Sequence, residues 1–191
     1  MPKPVHILGF AGSLRKQSYN RALLAAAEDY LPEGVTLEQY DIAGIPLFDQ
    51  DVLDSDGYPE PVQRFRDRIA AADAVLIATP EYNYSMPGVL KNALDWASRP
   101  PSPPFNGKPV AVMGASDGPW GTIRAQLHLR QVFVFLNALP VQQPQVMVPK
   151  ASDKFDDHGR LTDERTADQV RALLEALANW TRRLRGEKPT G

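Results

Sequence analysis

Val5-His6-Ile7-Leu8-Gly9-Phe10 runs directly into Ala11-Gly12-Ser13-Leu14-Arg15-Lys16-Gln17-Ser18-Tyr19-Asn20. A nearly continuous apolar run fits a strand covered on both faces, as parallel sheets require. The same change of character recurs downstream. Ala74-Val75-Leu76-Ile77-Ala78-Thr79 runs into Pro80-Glu81-Tyr82-Asn83-Tyr84-Ser85-Met86-Pro87-Gly88. Each loop stands where a strand hands over to a helix. That is the carboxyl edge of a parallel sheet, where α/β folds bind their ligands.

Working outward, Tyr19, Ala22, Leu23, Ala26, Ala27 and Tyr30 recur at helical spacing until Pro32 and Gly34 stop them. Val35–Tyr40 reads as a second, more exposed strand, and 41–56 as a long irregular segment. Val62, Phe65, Ile69 and Ala72 mark a helix, and so do Leu90, Ala93, Leu94 and Ala97. Arg99-Pro100-Pro101-Ser102-Pro103-Pro104-Phe105 must be a stiff connector, because proline fixes φ and cannot continue a helix. Pro109–Met113 reads as a fourth strand, and Ile123, Leu127, Val132, Phe133 and Leu136 support a long helix. Val146–Val148 reads as a short fifth strand. A last helix carries Val170, Leu173, Leu174, Leu177 and Leu184 on one face. Asp163 and Glu164 open it and three arginines close it, in keeping with the helix dipole.

Five strands alternating with five helices predict a three-layer α/β fold with helices on both faces of a parallel sheet. Two doubly wound orders compete, 2-1-3-4-5 and 3-2-1-4-5-6. Five strands favour the first, the flavodoxin-like order, in which the loops after strands 1 and 3 flank the switch point. A chain of 191 residues suits one domain over 1–191.

Composition removes several function classes. Hydrophobic residues make 43% and charged residues 23%, an ordinary soluble mixture. The net charge of -2 gives no reason to expect nucleic-acid or membrane partners. With no cysteine, thiolate catalysis, disulfides and zinc–thiolate sites are excluded, and a cytoplasmic location is compatible. No secretory signal or membrane-spanning stretch is expected. His6, His128 and His158 are scattered and predict no metal site.

The first loop has the chemistry of an anion cradle. The helix start presents unpaired N–H groups, Ser13, Ser18 and Asn20 add side-chain donors, and Arg15 adds a charged fork. It lacks the lysine of a Walker loop and the glycine spacing of a dinucleotide loop, so a monophosphate fits best. One of these residues could equally be only a helix cap. In the second loop Tyr82, Asn83 and Tyr84 offer flat surface, backbone donors and an amide, which suits a flat polar ring. The plainer reading is a surface turn at a subunit contact. Phosphate and ring together suggest a nucleotide, and without adenine-type fingerprints they suggest FMN. A third motif competes. Gly114-Ala115-Ser116-Asp117-Gly118 matches the nucleophile-elbow pattern, with His158 downstream, but no oxyanion-hole run accompanies it.

The stretches 12–20 and 80–96 resemble the NADPH-dependent FMN reductase family, the flavodoxin-like quinone, azo-dye and chromate reductases, over roughly residues 4 to 150. The resemblance implies that Ser13, Arg15, Ser18, Tyr19 and Asn20 hold the FMN phosphate. It implies that Pro80, Glu81, Tyr82 and Asn83 line the isoalloxazine, largely through main-chain atoms, and that Ser116 approaches the pyrimidine side. The family's glycine pair appears here as Gly121-Thr122. The family's habit also implies a homodimer or homotetramer, with Arg124, His128, Arg130 and Trp96 near a subunit contact.

The expected activity is therefore ping-pong transfer of hydride from NAD(P)H, through non-covalent FMN, to quinones, azo compounds or similar small acceptors. No side chain is needed as an obligatory acid or base. The alternatives are a flavin-binding electron carrier or regulatory module with little NAD(P)H activity and, more remotely, a serine hydrolase using Ser116.

Overall fold

The structure, a computed structural model, describes residues 3–187. A parallel sheet carries the strands β1 (Val5–Ala11), β2 (Val35–Tyr40), β3 (Ala74–Ala78), β4 (Pro109–Ala115), β5 (Leu139–Pro140) and β6 (Val146–Val148). The order is β2-β1-β3-β4-β5, with β6 also paired to β4. The flavodoxin-like order expected from the sequence is therefore present.

The central strands are apolar throughout because both faces are covered. Their residues alternate between two cores, as a period of two requires. Ile7, Leu76 and Met113 face Leu23 and Leu24 of α1 (Tyr19–Ala26) and Val170, Leu173 and Leu177 of α6 (Glu164–Leu184). Leu8, Phe10, Val75 and Ile77 face the other side. There Phe65 and Ile69 of α3 (Glu60–Ala71), Leu90 and Leu94 of α4 (Gly88–Ala97) and Phe133 of α5 (Ile123–Leu136) cover them.

Four features depart from the sequence reading. The fifth position of the sheet is a broken edge: β5 pairs with the start of β4 and β6 with its end. Pro140 and Pro144 cannot donate to a ladder, and an edge is where a sheet tolerates them. The irregular 41–56 segment contains a helix, α2 (Gln50–Asp56), with no buried residue and hence no apolar stripe to reveal it. The first helix tightens to a 3₁₀ turn over Ala27–Tyr30. Leu184, expected on the inner face of α6, is exposed, because the helix end runs out to the strand starts, where Arg185 meets Asp73.

The proline connector is held by Arg66. This buried guanidinium lies over the Tyr58 ring and donates to the carbonyls of Ala97, Arg99 and Pro101 at 3.0, 2.9 and 2.6 Å. Trp96 is fully buried, donating Nε1–H to Pro46 O at 2.9 Å and meeting Phe48 edge-on. It is core, not a subunit contact.

Candidate active site

Three loops meet at the carboxyl edge of the sheet: 12–18 after β1, 79–87 after β3 and 116–122 after β4. Main-chain bonds join them. Gly12 N donates to Ala78 O at 2.8 Å, and Thr79 N to Met113 O at 2.9 Å. The approach is close enough to require glycine at Gly114. A Cβ there would stand 2.0 Å from Thr122 Oγ1 and 2.3 Å from the Thr79 carbonyl oxygen.

In the first loop, Ser18 caps α1 by accepting from Asn20 N at 3.2 Å, and buried Ser13 accepts from Arg15 N at 3.4 Å. Among the described residues, the main-chain N–H groups of Leu14, Lys16, Gln17 and Tyr19 donate to no protein acceptor. These donors surround the positive end of α1, with Arg15 beside them, its guanidinium 5.7 Å from the Tyr19 ring centre. This donor set fits a phosphate monoester. A groove of about 800 Å³ continues from Arg15, Lys16 and Tyr19 toward Phe155 and His158.

Asn20 is placed differently from the rest of the first-loop set. Its buried side-chain amide both donates to and accepts from the main chain of Ala115, joining α1 to the end of β4. The amide is engaged in the scaffold behind the cradle, a tie to β4 that the sequence reading did not include.

The second loop is a tight turn. Tyr82 and Ser85 exchange two main-chain hydrogen bonds of 2.9 Å, and Asn83 and Tyr84 between them have φ of 50° and 65°. Tyr82 and Tyr84 are exposed on its surface. The Glu81 side chain points away from the turn, toward α5. Its Oε2 accepts from the N–H groups of Arg124 and Ala125 at 2.8 and 3.2 Å, and its Oε1 from the Arg124 guanidinium at 3.1 Å. That guanidinium lies 4.0 Å over the Tyr84 ring, and Ser85 Oγ is 2.9 Å from His128 Nδ1. The family resemblance places Arg124 and His128 near a subunit contact. Nothing local in the chain signals that they serve the turn.

In the third loop, Ser116 Oγ donates to Gly121 O at 2.6 Å, and Ser116 N donates to Val148 O. Gly121 has φ of 60°, and a Cβ there would press on the Met147–Val148 peptide. A nucleophilic serine needs its hydroxyl on a general base. Here the hydroxyl is on a carbonyl, and among the described residues no hydrogen bond joins Ser116 to His158. The hydrolase reading fails on that geometry.

The model of the family described as NADPH-dependent FMN reductase matches residues 5–153. The chain belongs to this family. It is 54% identical over 186 residues to an NAD(P)H-dependent FMN reductase of Pseudomonas aeruginosa, covering 97% of this chain and 100% of that one. It is 43% identical over 172 residues to a 2-hydroxy-1,4-benzoquinone reductase of a Burkholderia species, covering 90% and 93%. Among solved structures it is similar to a flavoenzyme NAD(P)H:(acceptor) oxidoreductase from Paracoccus denitrificans. The TM-score is 0.84 at 33% identity, covering 94% of this chain and 98% of that chain. Membership makes the protein an NAD(P)H-dependent oxidoreductase with FMN as its flavin, and the electron-carrier alternative gives way to it.

Proposed function

We propose that the protein, as one FMN-binding domain over 1–191, passes reducing equivalents from NAD(P)H to quinones by a ping-pong mechanism. The observation that carries this reading is the meeting of two unlike loops at one sheet edge. One is a cradle of unpaired N–H groups with Arg15, and the other is the aromatic turn 82–85. FMN, held without a covalent bond, supplies hydride acceptance and donation when bound. Ser13, Arg15, Ser18 and Tyr19 hold its phosphate. Pro80, Glu81, Tyr82 and Asn83 present main-chain atoms to the ring, and the Ser116 segment borders its pyrimidine side. These residues bind and orient, and none is assigned as an acid or base.

NAD(P)H and the acceptor use the same exposed face in turn, which yields parallel double-reciprocal lines, and intersecting lines would contradict it. The quinone class is supported by the Burkholderia relative. Azo compounds, which need the same two-electron delivery to a flat conjugated acceptor, belong to the same reading.

The reading extends to a cytoplasmic homodimer or homotetramer. On α5, Val134 is 81% and Phe135 77% exposed, an apolar face that a second copy would cover. The double substitution Val134→Glu with Phe135→Glu should lower the sedimentation coefficient toward the monomer, and an unchanged value would reject this face.

The deciding experiment is an absorption spectrum after FMN loading and desalting, repeated anaerobically with NADPH. Retained flavin that bleaches supports the reductase. Retained flavin that stays oxidised rejects it.

A further inference from the structure

We propose that Glu81 and Arg124 are positioning residues that hold the Tyr82–Ser85 turn in its left-handed form, ready for the flavin ring; the inference rests on the FMN reading above. Two consecutive non-glycine residues at positive φ are sterically disfavoured. Asn83 tolerates this conformation because its short polar side chain does so routinely. Tyr84 does not, so the surroundings must hold it there.

The structure shows what holds it. Tyr84 lies under the Arg124 guanidinium, and that guanidinium is fixed by Glu81 Oε1. Glu81 Oε2 accepts from the first main-chain N–H groups of α5, where a carboxylate suits the helix dipole. The local N-cap, Thr122, makes no side-chain cap, so Glu81 performs that task from a distant loop. The Glu81 side chain is only 9% exposed, and its bonds therefore persist in a poorly solvated setting. His128, one turn along α5 from Arg124, meets Ser85 at the far end of the turn. The turn is thus fastened at both ends to one rigid helix. Released from it, Tyr84 would relax to negative φ, and the main-chain groups of 82–84 would rotate away from the ring.

The test compares Glu81→Ala, Arg124→Ala and Tyr84→Ala with the parent by FMN fluorescence quenching, the visible spectrum of bound flavin and its reduction potential. Each variant should weaken FMN about tenfold or more, the scale on which groups behind a binding site act, and should shift the flavin band and potential. Glycine accepts positive φ freely, so adding Tyr84→Gly to Glu81→Ala should recover part of the lost affinity. A folded Glu81→Ala protein with a lower Tm but parental Kd, band and potential overturns the proposal, since Glu81 would then be a helix cap alone. If Glu81→Ala does not fold, Tyr84→Ala, at an exposed ring, decides on the same criteria. A parent that retains no FMN overturns the functional reading itself, and this is recognised before any substitution is made.

Discussion

Asn20 on α1 and Ala115 at the end of β4 exchange two hydrogen bonds. Asn20 Nδ2 donates to Ala115 O at 2.8 Å, and Asn20 Oδ1 accepts from Ala115 N at 2.9 Å. The side chain completes a ladder at a point where β4 has no strand beside it on that side. It also sets the phosphate loop against the Ser116 loop. Asn20→Ala would leave both buried main-chain groups of Ala115 without partners. Each such loss costs about 1–3 kcal/mol, so a loss of about 2–6 kcal/mol is expected in urea unfolding. A change below about 1 kcal/mol would mean that water replaces the amide.

Gly114→Ala should be worse than its single added carbon suggests. The new Cβ would meet Thr122 Oγ1 at 2.0 Å and the Thr79 carbonyl at 2.3 Å, and the latter is backbone. Overpacking of this kind costs about 1–3 kcal/mol or more, and here it also pushes the second loop outward. Gly118→Ala is the control, since its nearest neighbour is Ser116 Oγ at 3.6 Å. Thermal melts of the two variants should differ clearly. Equal melts would mean that the loops at this edge are loosely packed.

Arg15→Ala should weaken FMN by about 1.5–3 kcal/mol, the worth of a hydrogen bond to a charged group, while leaving riboflavin affinity unchanged. The comparison isolates the phosphate, because riboflavin has the ring without it. Equal losses for both ligands would move Arg15 from the phosphate to the ring.

Asp163 should contribute a pH-dependent part of the stability. It caps α6 by accepting from Thr166 N and Thr166 Oγ1, and it pairs with Lys154 at 2.7 Å. The Lys154 ammonium, then the Thr166 hydroxyl, lower its carboxyl to about 2 from the ordinary 3.8. A folded-state value below the unfolded one stabilises the fold above the ordinary carboxylate range. The contribution is lost as pH falls from about 4 toward 2. Asp163→Ala should cost about 1 kcal/mol at pH 7, the usual worth of a cap. The gap from the parent should narrow in urea titrations at pH 4 and pH 3. A gap that does not vary with pH would remove the charge from the explanation.

Much of the fold was legible because burial leaves a local mark. A strand covered on both faces must be apolar along its length, and Val5–Phe10 and Ala74–Ala78 show this without reference to anything else. The opening of α6 at Asp163 was legible for a similar reason, since that carboxylate accepts from a group three residues away. Helix α2 was illegible because it buries nothing. The broken fifth strand was only half legible, because β5 spans two residues and one is proline.

By itself the sequence determined the layers and the two loops that carry the candidate site, since those follow from periodicity and from glycine and proline placed in neighbouring positions, and its strand count favoured one of two strand orders. Tertiary structure alone decided the partners of the polar groups in and behind those loops. Glu81 could have faced the ring, and it caps α5. Asn20 could have faced a phosphate, and it bonds Ala115. Ser116 could have met a histidine, and it donates to Gly121. A polar side chain takes whichever donor or acceptor the folded chain brings within about 3 Å. For Glu81 and Asn20 that partner belongs to another element, so no local pattern can name it.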